Sequence, residues 1–203
     1  VALLLARLQT MAPKKVTAMM LDKAVAFLQR EIKEEVARAK REKHTIYIGT
    51  AHLNYLYIRA LLNQPADETT RLLTKLALKQ APTATMDFKA LLAVVLEKTG
   101  NKKGAETLRE SLKEHTVSTP ALGRHFDTQR TRFSSQWYRI PAQVATIEAL
   151  RASGNAADEK VADEMRLWLM QSKRTQMWQA GRTSADAVYA LLAANNDRQP
   201  VMS

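Results

Sequence analysis

The residues best able to do chemistry in this 203-residue chain are four histidines, a few carboxylates and three tryptophans. His44, His52, His115 and His125 fall in no H-E-x-x-H or comparable metal spacing, and a chain without cysteine cannot complete a thiolate site. Disulfides and a cysteine nucleophile are excluded for the same reason. His52 sits in an apolar stretch and reads as a core or cavity histidine with satisfied nitrogens. Glu148 has apolar neighbours and could serve as a general acid, but a lone buried carboxylate is more often paired and structural. Asp158, Glu159, Asp163 and Glu164 share one helical stretch and read as a solvated face, not as a magnesium-diphosphate site. The six glycines are too scattered for a phosphate-cradling loop. Trp137, Trp168 and Trp178 each stand at or beside a helix junction, where indoles wedge layers together more often than they stack on ligands. Nothing here points positively to catalysis, and no cofactor or metal is implied.

The elements that must position these residues are helices. Hydrophobic residues make up 46% of the chain, with only six glycines and six prolines, which predicts a helix-rich globular fold. Two kinds of helix alternate. One kind carries a single apolar stripe: Met20, Ala24, Leu28, Ile32 and Val36 with Phe27 beside them in Val16 to Lys43, then Leu72, Leu73, Leu76 and Ala77, then Ala105, Leu108 and Leu112, then Val161, Met165, Trp168 and Leu169. Met19 and Met20 read as core filler. The other kind is apolar nearly all round: His52 to Leu62, Phe88 to Leu96, the helix after Trp137 that starts near Pro141, and Ala187 to Ala194. A helix of this second kind needs protein on every side.

Caps and turns set the boundaries. Pro65 suits a first turn, with Asp67 and Glu68 at the positive end of that helix. Gly100-Asn101 and Gly154-Asn155 end one helix and start the next, with Asn155 and Asp158 at cap spacing. Thr183 or Ser184 is the expected cap of the final helix, and Asp186 completes a box with Thr183. Val117 to Ser135 reads as a long loop. Turns recur at Asn63, Asn101, Asn155 and about Asn195. Once that loop is set aside, the period is about 40 residues, the signature of stacked helical hairpins. Inner helices that are apolar all round favour a double-layered α/α toroid over an open solenoid.

The formal net charge of +11 invites a nucleic-acid reading. However, Arg38, Lys40, Arg41 and Lys43 are flanked on one helix by Glu31, Glu34, Glu35 and Glu42, which is the pattern of a solvated face, and no nucleic-acid partner is expected. No apolar run approaches the roughly 20 residues that span a bilayer. The opening Val1 to Met11 is apolar, ends at Pro13 and reads as an inner helix whose upstream neighbour is missing. The expectation is a single domain over 1–203, part of a larger protein, with its ring incomplete at the N-terminal end.

Four passages resemble a known family. WYRIPAQVATIEAL (Trp137–Leu150), LWLMQSKRTQMW (Leu167–Trp178) and GRTSADAVYALL (Gly181–Leu192) are similar to the C-terminal part of the helical thioester-type domain of bacterial alpha-2-macroglobulins, and HLNYLYIRALL (His52–Leu62) is similar to an earlier inner helix in the Bacteroides-like branch. The run carried by Trp178, Thr183, Ala185, Asp186 and Tyr189 to Leu192 is the most specific, and Trp137 and Trp168 belong to the same signature. The resemblance implies an α/α toroid, with about a dozen helices in the full ring, within a multi-domain periplasmic or cell-surface protein that traps proteases. Its partners would be the other domains of its own chain and the proteases. A cysteine-free chain holds no C-x-E-Q thioester motif, and neither His115 nor His125 matches the assisting histidine. Two rival readings are a free-standing helical-repeat binding module for an anionic or protein partner, and a toroid enzyme.

Overall fold

The computed structural model describes residues 1–127, 139–175 and 181–196. In chain order the elements are α1 (Ala2–Met11), α2 (Lys15–Glu42), α3 (Thr50–Leu61), α4 (Glu68–Gln80), a 3-10 turn at Ala81–Thr83, α5 (Met86–Lys98), α6 (Lys102–Glu114), β1 (Thr116–Thr119), β2 (Gly123–Phe126), α7 (Arg139–Arg151), α8 (Ala156–Thr175) and α9 (Gly181–Asn196). Among the described residues the fold is all-helical apart from one small antiparallel hairpin. Among the described residues no helix is long and apolar enough to cross a membrane.

The odd-numbered helices pack on one another in order: α1 on α3, α3 on α5, α5 on α7, α7 on α9, with α9 also meeting α1. Each even-numbered helix lies across the pair it connects. Composition explains this division. α3, α5 and α7 bury residues around their whole circumference, including Leu53, Tyr55, Leu56, Tyr57 and Ile58 in α3. α4 and α6 bury a single stripe, as an amphipathic helix on the outside must. In α8 the buried residues are Asp158, Ala162, Met165, Leu169 and Ser172, at the three-and-four spacing of one face.

The turns between layers follow their chemistry. Gly100 (φ +88°) ends α5 in the left-handed conformation, and Asn101 then caps α6 by accepting from Gly104 N at 3.1 Å. At the head of α8, Asn155 Oδ1 accepts from Asp158 N at 2.7 Å and Asn155 Nδ2 donates to Asp158 Oδ2 at 3.0 Å, a reciprocal cap.

Several expectations need correcting. The buried stripe of α2 is Leu21, Val25, Ile32 and Val36, one residue on from Met20 and Ala24 in its first half. A 3.6-residue period drifts against a strict four-residue spacing, so Met19, Met20 and Phe27 are left more than half exposed and are not core filler. α1 and α9 are not enclosed: Leu4, Leu8, Val188 and Leu192 are each about half exposed. The reason is that no described helix packs across α9 and α1 as the even-numbered helices pack across the other pairs. α9 starts at Gly181, so Thr183 lies in its first turn and does not cap it, and the helix runs to Asn196, beside the turn expected at about Asn195. Asp186 Oδ1 accepts from Arg7 Nη1.

Pro65 precedes α4, whose cap is Asp67, accepting from Thr70 N at 2.8 Å. α7 begins at Arg139, two residues before Pro141, which a first turn tolerates because its missing N–H has no intrahelical partner. The expected loop after Val117 contains the β1–β2 hairpin, with Val117 opposite His125 and Thr119 opposite Gly123. Its remainder to Ser135 lies outside the described residues. Gly123 has φ +74°, and a Cβ there would come within 2.4 Å of the Glu164 carbonyl oxygen on α8.

Candidate functional site

Four odd-numbered helices each send a polar side chain into one buried cluster. Arg7 of α1 is only 4% exposed, in a helix with no other charged residue. Its Nη2 donates to Glu148 Oε1 of α7 at 2.5 Å and its Nη1 to Asp186 Oδ1 of α9 at 2.5 Å. The Tyr57 hydroxyl of α3 donates to the other oxygen, Glu148 Oε2. The guanidinium also lies 4.7 Å from the ring centroid of Tyr189 and 5.6 Å from that of Tyr57, so its faces meet aromatic clouds while its edges meet carboxylates.

Electrostatics within the cluster follow from burial. Burial alone would lower the Arg7 pKa, but the carboxylates Glu148 and Asp186 and the polar contact with Tyr57 outweigh it and hold the guanidinium firmly charged. Burial raises the Glu148 carboxyl above its usual range, and Arg7 and Tyr57 offset this only in part. Burial, together with the neighbouring Glu148, pushes the Tyr57 hydroxyl well up, which keeps it a neutral donor. Tyr189 is raised by burial and by Glu148. Chemically the cluster is closed. Both Glu148 oxygens accept internal hydrogen bonds, and the guanidinium fills the space between the two carboxylates. A pair of acids working on a substrate bond needs that space for the substrate.

The cluster has a cavity on each side. One, of about 300 Å³, is walled by Tyr57, Glu148 and Tyr189, with Lys98, Arg151 and Glu159 among the residues around it. The other, also about 300 Å³, takes in Arg7 and Asp186 together with Thr50, Asp87, Pro141 and Thr183, the first turns of α3, α5, α7 and α9.

A second buried cluster ties α5, α6 and α8 together. Arg109 pairs with Glu97 at 2.7 Å and with Asp158 at 3.0 Å, and Lys113 reaches Asp158 at 2.9 Å. Asp158, expected on a solvated face, is 2% exposed. Burial would raise its pKa, but hydrogen bonds from Lys113 and Ser153 and the charges of Lys113 and Arg109 hold it below the usual range. Glu164 is likewise engaged: it takes Arg124 Nε at 2.9 Å and the Ser118 hydroxyl at 3.0 Å, fixing the hairpin to α8.

Of the residues singled out in the sequence, Glu148, Asp186 and Tyr189 come together, and Thr183 lies on the cavity beside Asp186. Trp168 stands apart. Its ring stacks on His125 at 5.6 Å and carries the Arg139 guanidinium at 5.4 Å. Trp137 and Trp178 lie outside the described residues. His52 is satisfied as expected, accepting from Gly49 N at 3.2 Å through Nδ1 and meeting Glu35 at 3.1 Å through Nε2. Sequence reasoning missed Arg7, Tyr57 and Arg109. A lone cation inside VALLLARLQT was the available signal, because a charge in a largely apolar helix requires a partner once it is buried. Comparisons with family models, with curated proteins and with solved structures give no match to this chain.

Proposed function

We propose that the chain is a non-catalytic α/α-toroid domain of an alpha-2-macroglobulin-like bacterial envelope protein, acting in the capture of proteases at the periplasm or cell surface. The family part of this reading rests on the four passages from His52 to Leu192. The toroid part is supported by the packing order of the odd-numbered helices, which runs from α1 to α9 and returns to α1, with the even-numbered helices outside. On this reading the ring closes through the Arg7–Asp186 pair, where the sequence suggested a gap.

The observation that carries the non-catalytic reading is the Arg7 guanidinium seated between Glu148 and Asp186. A toroid enzyme would keep such acids free to face a substrate, whereas here they hold three inner helices together. In α2, Lys40 of the basic run meets Glu68 at 2.8 Å and Arg30 meets Glu31 at 3.3 Å, both as exposed pairs.

The test is a protease-capture assay on the full-length protein. Capture by enclosure predicts that a trypsin-like protease loses activity on a large protein substrate and keeps it on a short chromogenic peptide. If both activities are unchanged across several endopeptidases, the chain belongs to a different kind of assembly.

A further inference from the structure

The outer side of α2 carries a second apolar stripe. Val16 is 69% exposed, Met20 52% and Phe27 54%, with Met19 beside them at 54%. At about 100° per residue, Val16 and Phe27 lie roughly 160–180° round the helix from Val25, a member of the buried stripe. An outer helix is normally polar on that side. Contiguous apolar surface left in solvent marks a place where a partner docks.

Spacing and charge define the partner. Val16, Met20, Lys23, Phe27, Arg30 and Glu34 follow one another in alternating steps of four and three, the seam of a helix that packs along another helix. Ala24 and Ala26, beside the middle of the seam, are small enough to let that helix come close. One end of the seam is basic, with Lys14 and Lys15 exposed. At the other end Arg30 meets Glu31 at 3.3 Å and Lys33 meets Asp67 of α4 at 3.7 Å, so Glu34 is the charge that the seam presents. An identical seam running antiparallel sets each basic end against a Glu34, whereas a parallel one sets like against like. About a twofold axis midway between Lys23 and Phe27, Lys23 of one copy faces the Phe27 ring of the other, whose other contact is the Arg30 guanidinium at 5.3 Å. An anionic bilayer fits less well, because Glu34 stands in the seam.

We propose that α2 pairs antiparallel with α2 of a second copy of this chain along the seam from Val16 to Glu34. The seam is about 28 Å long, short against a standard interface, so the dimer is weak and reversible. The inference rests on this face alone and is independent of the protease-capture reading.

Sedimentation equilibrium over rising concentration should show a monomer–dimer equilibrium in the micromolar range. Met20→Glu and Phe27→Glu should each weaken it at least about tenfold. Both side chains are exposed, so each variant should fold, as thermal melts would verify. The chain has no cysteine, so Lys23→Cys and Val16→Cys each place a single thiol. A dimaleimide whose reach matches the roughly 8–10 Å between packed helices should join two Lys23→Cys copies. It should leave Val16→Cys copies unjoined, since those positions lie about 27 Å apart along the axis. A chain that stays monomeric at hundreds of micromolar overturns the proposal, in favour of a lipid surface if it then binds phosphatidylglycerol vesicles. A dimer unchanged by both glutamate substitutions overturns it too, as does equal cross-linking at Val16 and Lys23.

Discussion

Replacing Arg7 with leucine should be among the most damaging single changes in the chain. The side chain is 5% exposed and makes two ion pairs, so its removal takes the Arg7 charge away from Asp186 and from the buried Glu148. Breaking a buried pair by deleting one partner typically costs about 3–5 kcal/mol. For a domain of this size that corresponds to a melting temperature lower by about 10 °C. The loss should depend on pH. Without Arg7 the Glu148 pKa rises further, and a protonated Glu148 no longer needs a counter-charge, so the penalty should shrink as pH falls toward 5. Urea unfolding of both proteins at pH 7.5 and pH 5 measures this directly. Adding Glu148→Leu and Asp186→Leu to the variant should recover much of the loss, because a packed apolar cluster of similar volume is often as stable as the ion pairs it replaces. A loss below about 1 kcal/mol, the value of an exposed pair, would refute the burial reasoning.

Three further outcomes follow from other parts of the molecule. Glu148 binds its proton more tightly folded than unfolded, so its contribution is fully present below its ordinary value near 4.5 and is lost as pH rises through the raised value. Glu148→Gln should therefore flatten the decline in stability over that window, read from unfolding free energies across a pH series. Asp158 has the opposite sign: its contribution is present above its ordinary value near 3.8 and is lost as pH falls through its lowered value. Asp158→Asn should leave a protein less stable at pH 7 whose stability falls less steeply in acid, checked by denaturant midpoints. Gly123→Ala meets both a left-handed φ and the Glu164 carbonyl at 2.4 Å, and should cost more than about 1 kcal/mol while loosening the hairpin from α8. Hydrogen exchange of the β1–β2 amides would report that loosening.

How much of this was legible in the sequence depended on the range of the interaction. α3, α5 and α7 could be placed inside because their apolar residues go all the way round, and the caps at Asn101 and Asn155 act within three or four residues. The Arg7 cluster was not legible as a unit, since its partners lie 141 and 179 positions away. Glu148 drew attention only as a lone acid in an apolar stretch, and its pairing could be expected but not its partner. α1 and α9 looked fully interior by composition. Whether an apolar helix is covered depends on having an outer helix across it, and residue periodicity does not report that. Asp158 misled for the converse reason: its acidic neighbours suggest solvent, while Arg109 and Lys113 approach it from another helix. The hairpin was hidden because β1 is short, polar and largely exposed.

The central claim is that the first and last inner helices meet and close the ring. The chain has no cysteine, so Leu8→Cys and Leu192→Cys place two spin labels uniquely, both on half-exposed positions of α1 and α9. Helices in contact lie about 8–10 Å apart axis to axis. Pulsed distance measurement should give a single narrow population that fits two helices in contact, and it should broaden when Arg7→Leu is introduced. A broad or long distribution in the otherwise unaltered chain, with α1 beyond reach of α9, would contradict closure.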